Sequence, residues 1–222
     1  MTKLSDRRRP LLAALGALVG VVALGALIGI GATSPGPAIA APVLVEGKRF
    51  DDRLRLFDSD LVLNGTGVRQ VAWLKGYAAG LYLGAAAKTA AAVAATPGPK
   101  RLRMHMLQEV AAAEFSKAVH KGVGRNTGAA EQPVLRDRLA VFERQVDSLG
   151  KVRKGDIVDL DFGPAQGTSL VVNGKRVGEP IAGDDFYAAL LRSFVGDQPY
   201  DEALKAGLLG RRKAAADRGA PS

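Results

Sequence analysis

Few residues in this 222-residue sequence have side chains that could carry out chemistry. It has no cysteine and two histidines, which excludes thiol catalysis, Cys-ligated zinc, iron–sulfur clusters and disulfide frameworks, and leaves little for a His-rich metal site. The absence of cysteine suits an oxidising compartment. His105 falls in a strand-like run and His120 in a helix-like one, and neither has a His, Glu or Cys at ligand spacing, so surface or partly buried roles are expected. No G-x-S-x-G elbow supports a serine hydrolase. The run NGTG at 64–67 lacks the GKS/T ending of a phosphate loop and reads as a turn between strands. Asp156, Asp159 and Asp161 have no 12-residue calcium loop around them, and Asp159 with Asp161 reads as a solvated strand face. No metal or other cofactor is expected.

Arg69 is a lone cation in an apolar run, and Tyr77 follows it on the next strand segment. Arg69 stands among Val68, Val71, Ala72 and Trp73, and no Asp or Glu occurs between Asp60 and Glu109. A guanidinium held on an apolar wall without a partner is costly, so it calls for an anion. A ligand carboxylate could accept a bidentate pair, and the Tyr77 hydroxyl could donate one more hydrogen bond. The competing reading makes Arg69 a sheet-edge arginine that reaches a distant carboxylate or solvent. Tyr77 and Tyr82 would then be ordinary strand tyrosines. Trp73 is expected in the core or in the cleft wall.

These side chains must be positioned by the elements around them. Val43, Val45, Leu54 and Leu56 alternate with polar residues, and residues 68–83 read as two strand segments broken near Lys75-Gly76. An Ala-rich helix over 85–95 stops at Thr96-Pro97-Gly98-Pro99. A strand follows at 101–107, with Leu102, Met104 and Met106 on one face and Arg103 and His105 on the other. Helices are expected at 112–123 and 132–149, from the stripes Phe115, Val119, Val123 and Leu135, Leu139, Phe142, Val146. A strand at 156–162 precedes a hairpin over 169–181 that turns at Asn173-Gly174. Helices at 185–194, capped by Asp184, and 200–209 complete the chain. The order implies an α+β fold, an antiparallel sheet with helices packed on one face.

Hydrophobic residues make up 47% of the chain and charged residues 24%, a globular composition. Of the formal charge of +9, the first ten residues and the segment 211–222 contribute +3 each, which leaves +3 on the body. That mild charge, with 5% aromatics, argues against nucleic acid as a partner. Residues 1–10 are basic, 11–32 are uncharged, and Ala38-Ile39-Ala40 forms a small-residue processing site. Residues 1–40 therefore read as an export signal, with a twin-arginine character at Arg8-Arg9. The apolar run is long enough to span a bilayer, so an uncleaved anchor is the alternative, with membrane association through 11–32. Either way the domain at 41–210 lies outside the cytoplasm, periplasmic or anchored at the inner membrane. Residues 211–222 read as a basic, disordered tail.

Three stretches occur in order: NGTGVRQVAWLKGYAAGLYLG at 64–84, KRLRMHMLQEVAAAEFSKAV at 100–119 and GTSLVVNGKRVGEPIAGDDFYAALLRSFVGDQPYDEALKAGLLG at 167–210. Together they resemble the chalcone isomerase-like family over nearly the whole mature chain. The resemblance implies an open-faced β-sandwich with a ligand cleft between a large antiparallel sheet and its helices. It places the family's cleft arginine on Arg69. The plant enzymes' threonine falls on Tyr77, their helix tyrosine on Phe115, their asparagine on Gly122 and their late threonine near Ser193. Arg69 with Tyr77 matches instead the carboxylate-holding pair of the family's fatty-acid binders, so Arg69, Tyr77, Phe115 and Ser193 are the expected ligand-binding positions. The expected function is a non-catalytic binder of a fatty acid or similar apolar carboxylate. An isomerase or intramolecular lyase acting on a chalcone-like or enone substrate is the alternative, with Arg69 stabilising an oxyanion and Tyr77 donating a proton. A third reading, a structural partner in an envelope assembly, would have the cleft filled by its own side chains.

Overall fold

The structure is a computed structural model that describes residues 41–211; the expected export segment and most of the basic tail lie outside them. Eleven strands and five helices are described. The strands are β1 (Val43–Val45), β2 (Lys48–Phe50), β3 (Arg53–Leu56), β4 (Ser59–Val71), β5 (Leu74–Leu83), β6 (Lys100–Met106), β7 (Val110–Ala111), β8 (Lys151–Val152), β9 (Ile157–Gly163), β10 (Gly167–Val172) and β11 (Lys175–Ile181). The helices are α1 (Ala90–Ala95), α2 (Ala112–Asn126), α3 (Glu131–Asp147), α4 (Asp184–Val195) and α5 (Glu202–Leu208). Seven strands form one antiparallel sheet in the order β11-β10-β9-β6-β5-β4-β3. Helices cover one face, which is the expected α+β architecture.

Strand alternation sorts side chains between two cores. Tyr77, Ala79, Leu81 and Leu83 of β5, Leu102, Met104 and Met106 of β6, and Val158, Leu160 and Phe162 of β9 enter the main core under the helices. Ala78 and Tyr82 point the other way, into a smaller core with Phe50, Leu56 and Leu61. The β1–β2 hairpin contributes to this second core through Phe50, whose ring meets the imidazole of His105 edge-on with centroids 4.9 Å apart. Asn173 and Gly174 both adopt positive φ between β10 and β11, as the Asn-Gly hairpin requires.

Several local expectations change. NGTG is not a turn: it lies inside the 13-residue strand β4. Its glycines let α5 dock on the strand backbone. A Cβ on Gly65 would collide with the carbonyl oxygen of Gly207, and one on Gly67 would sit 2.9 Å from that of Leu204. Asn64 completes the joint by donating from Nδ2 to the Leu208 carbonyl at 2.7 Å and accepting from the Ala87 amide at 2.6 Å. The chain reverses at Ala72-Trp73 rather than at Lys75-Gly76, which lies within β5. The Ala-rich helix shortens to α1, capped by the Thr89 hydroxyl. Asp184 begins α4 rather than capping it; the cap position is Gly183.

The aspartates of β9 are also placed differently from the expected solvated face. Asp159 and Asp161 are buried and face Arg103 and Arg101 on β6. Each pair is bidentate, with Arg101 donating to Asp161 through two bonds of 2.6 Å and Arg103 to Asp159 through two of 2.8 Å. The ladder satisfies charges that a half-covered sheet face could not otherwise hold.

Candidate functional site

Arg69 and Tyr77 face each other across β4 and β5, so their side chains share the helix-covered side of the sheet. The register shifts immediately after Arg69, where β4 bends towards its exposed tip. Tyr77 is buried, and its phenol is pushed far above the ordinary tyrosine value by burial, with Tyr200 and Asp201 adding to the shift and Arg69 opposing it.

The guanidinium is not solitary. Its Nη1 donates to Asp201 Oδ2 at 3.3 Å and to the Gln70 carbonyl at 3.1 Å. The Arg69 side chain keeps 27% exposure and that of Asp201 13%. The expectation of an arginine without a protein carboxylate is therefore wrong. It failed because the partner lies 132 residues away in sequence, beyond the reach of a search of neighbouring residues. Asp201 is committed elsewhere as well: Oδ1 accepts from the Ala203 and Leu204 amides at the start of α5, and Oδ2 accepts from the Gln70 amide. Burial raises the Asp201 pKa, but those backbone amides and Arg69 outweigh it and hold the carboxyl below its usual range.

The remaining expected residues lie deeper. Ser193, on α4, is fully buried. The buried Tyr200 hydroxyl lies beside it, and a hydrogen bond with Ser193 works against the rise that burial causes in the Tyr200 phenol. Burial is the main reason that the Tyr200 phenol is pushed up to about 12. Both residues pack on Gly122 of α2, where an added Cβ would lie 2.6 Å from Tyr200 Oη and 2.7 Å from Ser193 Cβ. Tyr200 stands edge-on to Phe194 at 5.0 Å. Phe115 is half-buried on α2, where it lines a wholly apolar cavity of about 20 Å³ with Met104, Met106, Val146 and Leu170.

Sequence reasoning missed Tyr200 and Asp201. They end a segment tied down by Asn126, which donates to the Gln198 carbonyl at 2.8 Å and accepts from its amide at 2.9 Å, and by the Tyr200 amide on the Ser193 carbonyl. The one available signal was Gly122, since a glycine in mid-helix marks a close neighbour. Trp73 is neither core nor cleft wall; it is 87% exposed at the β4–β5 tip. Tyr82 is buried in the second core, and His120 is an exposed partner of Glu143, with Nδ1 2.8 Å from Oε1. Among the described residues no group of three His, Asp or Glu could hold a metal ion.

A second concavity, of about 400 Å³, lies between α1 and α4, walled by Val93, Phe162, Tyr187, Leu191 and Val195. Lys100 is 7% exposed there, and its ammonium lies 5.5 Å from the centre of the Phe162 ring. It makes no ion pair among the described residues. Burial lowers its pKa, against the pull of Asp184.

A curled seven-stranded antiparallel sheet covered on one side by helices, with an arginine–tyrosine pair beneath them, defines an open-faced sandwich of the chalcone isomerase type. Residues 42–210 match the family model described as chalcone isomerase-like, and the chain belongs to that family. No curated protein matches it in sequence. The crystal structure of a fatty-acid binding protein from Arabidopsis thaliana is similar, with a TM-score of 0.56 and 17% identity, over 77% of this chain and 97% of that one. At that identity the likeness is one of fold.

Proposed function

We propose that this protein is an exported, non-catalytic binder of a fatty acid or similar apolar carboxylate, with the head group at Arg69 and Tyr77. One observation carries the reading: Arg69, Tyr77 and the buried hydroxyls of Ser193 and Tyr200 gather between sheet and helices. Each hydroxyl can donate one hydrogen bond and accept two, so the pair keeps capacity that a bound polar head group would use. The structural likeness to a fatty-acid binding protein supports the same class of ligand. Export rests on the sequence of residues 1–40.

The site described above is closed, with Asp201 on the arginine and Tyr200 filling the space left by Gly122. Ligand entry therefore requires the segment before α5 to swing outward, with the ligand carboxylate replacing Asp201. The test is native mass spectrometry of protein purified from its own host, followed by fatty-acid titration. A co-purifying fatty acid and saturable binding weakened by Arg69→Gln support the reading. Ligand-free protein that also fails to bind in titration refutes it. The Lys100 groove offers the same chemistry, a buried cation on an apolar wall. Loss of binding in Lys100→Met but not in Arg69→Gln would move the ligand there.

A further inference from the structure

The β4–β5 tip places Val71, Trp73 and Leu74 in solvent together, with Trp73 87% exposed. A solvent-facing tryptophan flanked by two aliphatic residues is an unfavourable surface unless something covers it. The tip is held in place: Val71 pairs with Leu74, and Gln70 Nε2 donates to the Ala72 carbonyl at 2.7 Å. Ala72 takes a φ of +52°, a conformation that a non-glycine residue adopts at a cost.

Strand register shows what else lies at this end of the sheet. Tyr77 pairs with Met106, His105 with Ile157, and Val158 with Val172, so the tip, the start of β9 and the β10–β11 turn are all at one end. Arg153, Lys154 and Lys175 are exposed there, and none makes an ion pair among the described residues. Lys75 is paired with Glu46, and Asp156 is engaged by Asn173 and the Arg153 amide. An apolar, tryptophan-bearing point beside unpaired basic residues is complementary to an anionic bilayer surface. Such a surface takes indole rings at head-group depth and attracts Lys and Arg.

We infer that the β4–β5 tip is a membrane-docking device that inserts Trp73, Val71 and Leu74 into an anionic lipid surface, with Arg153, Lys154 and Lys175 against the head groups. Arg69 and Tyr77 lie on the same hairpin behind the tip, so docking would bring the candidate site to the lipid from which an apolar carboxylate would come. The docking itself does not depend on that site.

Trp73 is the only tryptophan in the chain, so its fluorescence reports this tip alone even if another segment also holds the protein to lipid. The full chain is mixed with vesicles of phosphatidylethanolamine and phosphatidylglycerol at three to one, with and without brominated acyl chains. Docking predicts a blue-shifted emission that brominated lipid quenches. In the variant Val71→Asp/Leu74→Asp, whose changes are at exposed positions, the same quenching should require about tenfold more lipid or be lost. Charge reversal of Arg153, Lys154 and Lys175 to Glu should weaken it as well. Emission unchanged by vesicles overturns the inference. So does emission already blue-shifted without lipid and dependent on protein concentration, which would mean that a second copy covers the tip.

Discussion

Replacing Asp201 by asparagine tests whether Arg69 is an anchor that its own chain keeps occupied. The substitution retains an oxygen that can accept from the Ala203 and Leu204 amides, and asparagine caps helices about as well as aspartate. What disappears is the charge opposite Arg69, together with the Oδ2 acceptor of the Gln70 amide. The Arg69 contact is one hydrogen bond of 3.3 Å between side chains that are 27% and 13% exposed. Solvent screening limits such a pair to about 1 kcal/mol or less. A ligand carboxylate that no longer competes with Asp201 should therefore bind up to about fivefold more tightly. Titration calorimetry with a medium-chain fatty acid at neutral pH measures this directly, and Asp201→Ala provides the contrast, since it should also lose about 1 kcal/mol of cap stability. The pH dependence has a definite sign. The Asp201 carboxyl is held below its ordinary range, so its stabilising contribution is fully present above the unfolded pKa of about 3.9 and is lost as pH falls through the folded value. The stability gap between the parent and Asp201→Asn should be flat from mildly acidic to neutral pH and close below about pH 4. Unchanged or weaker fatty-acid binding in a folded Asp201→Asn protein would refute the competition argument.

Three further outcomes are expected. Gly122→Ala must push Tyr200 and Ser193 aside, at a cost of about 1–3 kcal/mol, against about 1 kcal/mol gained in helix propensity. Denaturant unfolding should show a net loss, and a net gain would mean that Tyr200 is loosely held. Asp161→Asn leaves the part-buried Arg101 with Asp159, 3.7 Å away, as its remaining carboxylate and should cost about 1–3 kcal/mol, and replacing both residues by leucine should recover much of that. A loss under 1 kcal/mol from the single change would show the ladder to be solvated. All four tyrosines, Tyr77, Tyr82, Tyr187 and Tyr200, have pKa values raised mainly by burial, those of Tyr82 and Tyr200 to about 12. The stability this implies is complete below an unfolded pKa of about 10 and is lost as pH rises through the folded values. Phenolate absorbance should therefore appear only with alkaline unfolding, and a native step near pH 10 would contradict the burial.

The parts of this fold legible in the sequence are those whose physics is local. Period-two alternation gave away the two faces of β6 and β9, helical stripes marked α2 and α3, and Asn173-Gly174 marked its own turn. What could not be read depends on residues far apart in the chain. NGTG looks like a turn because its glycines answer to α5, which approaches from more than 130 residues later. Asp159 and Asp161 alternate as a polar strand face should, but only the register with β6 supplies Arg103 and Arg101. Arg69 and Tyr77 were recognisable as a pair only through the family resemblance. Their closure by Tyr200 and Asp201 was not, because Tyr200 reads locally as the start of the last helix and Asp201 as part of its first turn. Trp73 was assigned to the interior on hydrophobicity alone, which does not separate a core residue from one at a strand tip.

The ionisation of a bound carboxylate tests the central claim most directly. A fatty acid labelled with ¹³C at the carboxyl, titrated with acid while bound and followed by its carbonyl resonance, reports the charge beside it. With Arg69 as the anchor, the bound carboxyl should stay ionised well below the pKa of an ordinary carboxylic acid, and Arg69→Gln should abolish that depression. A bound carboxyl that titrates identically in the parent and in Arg69→Gln would contradict the account.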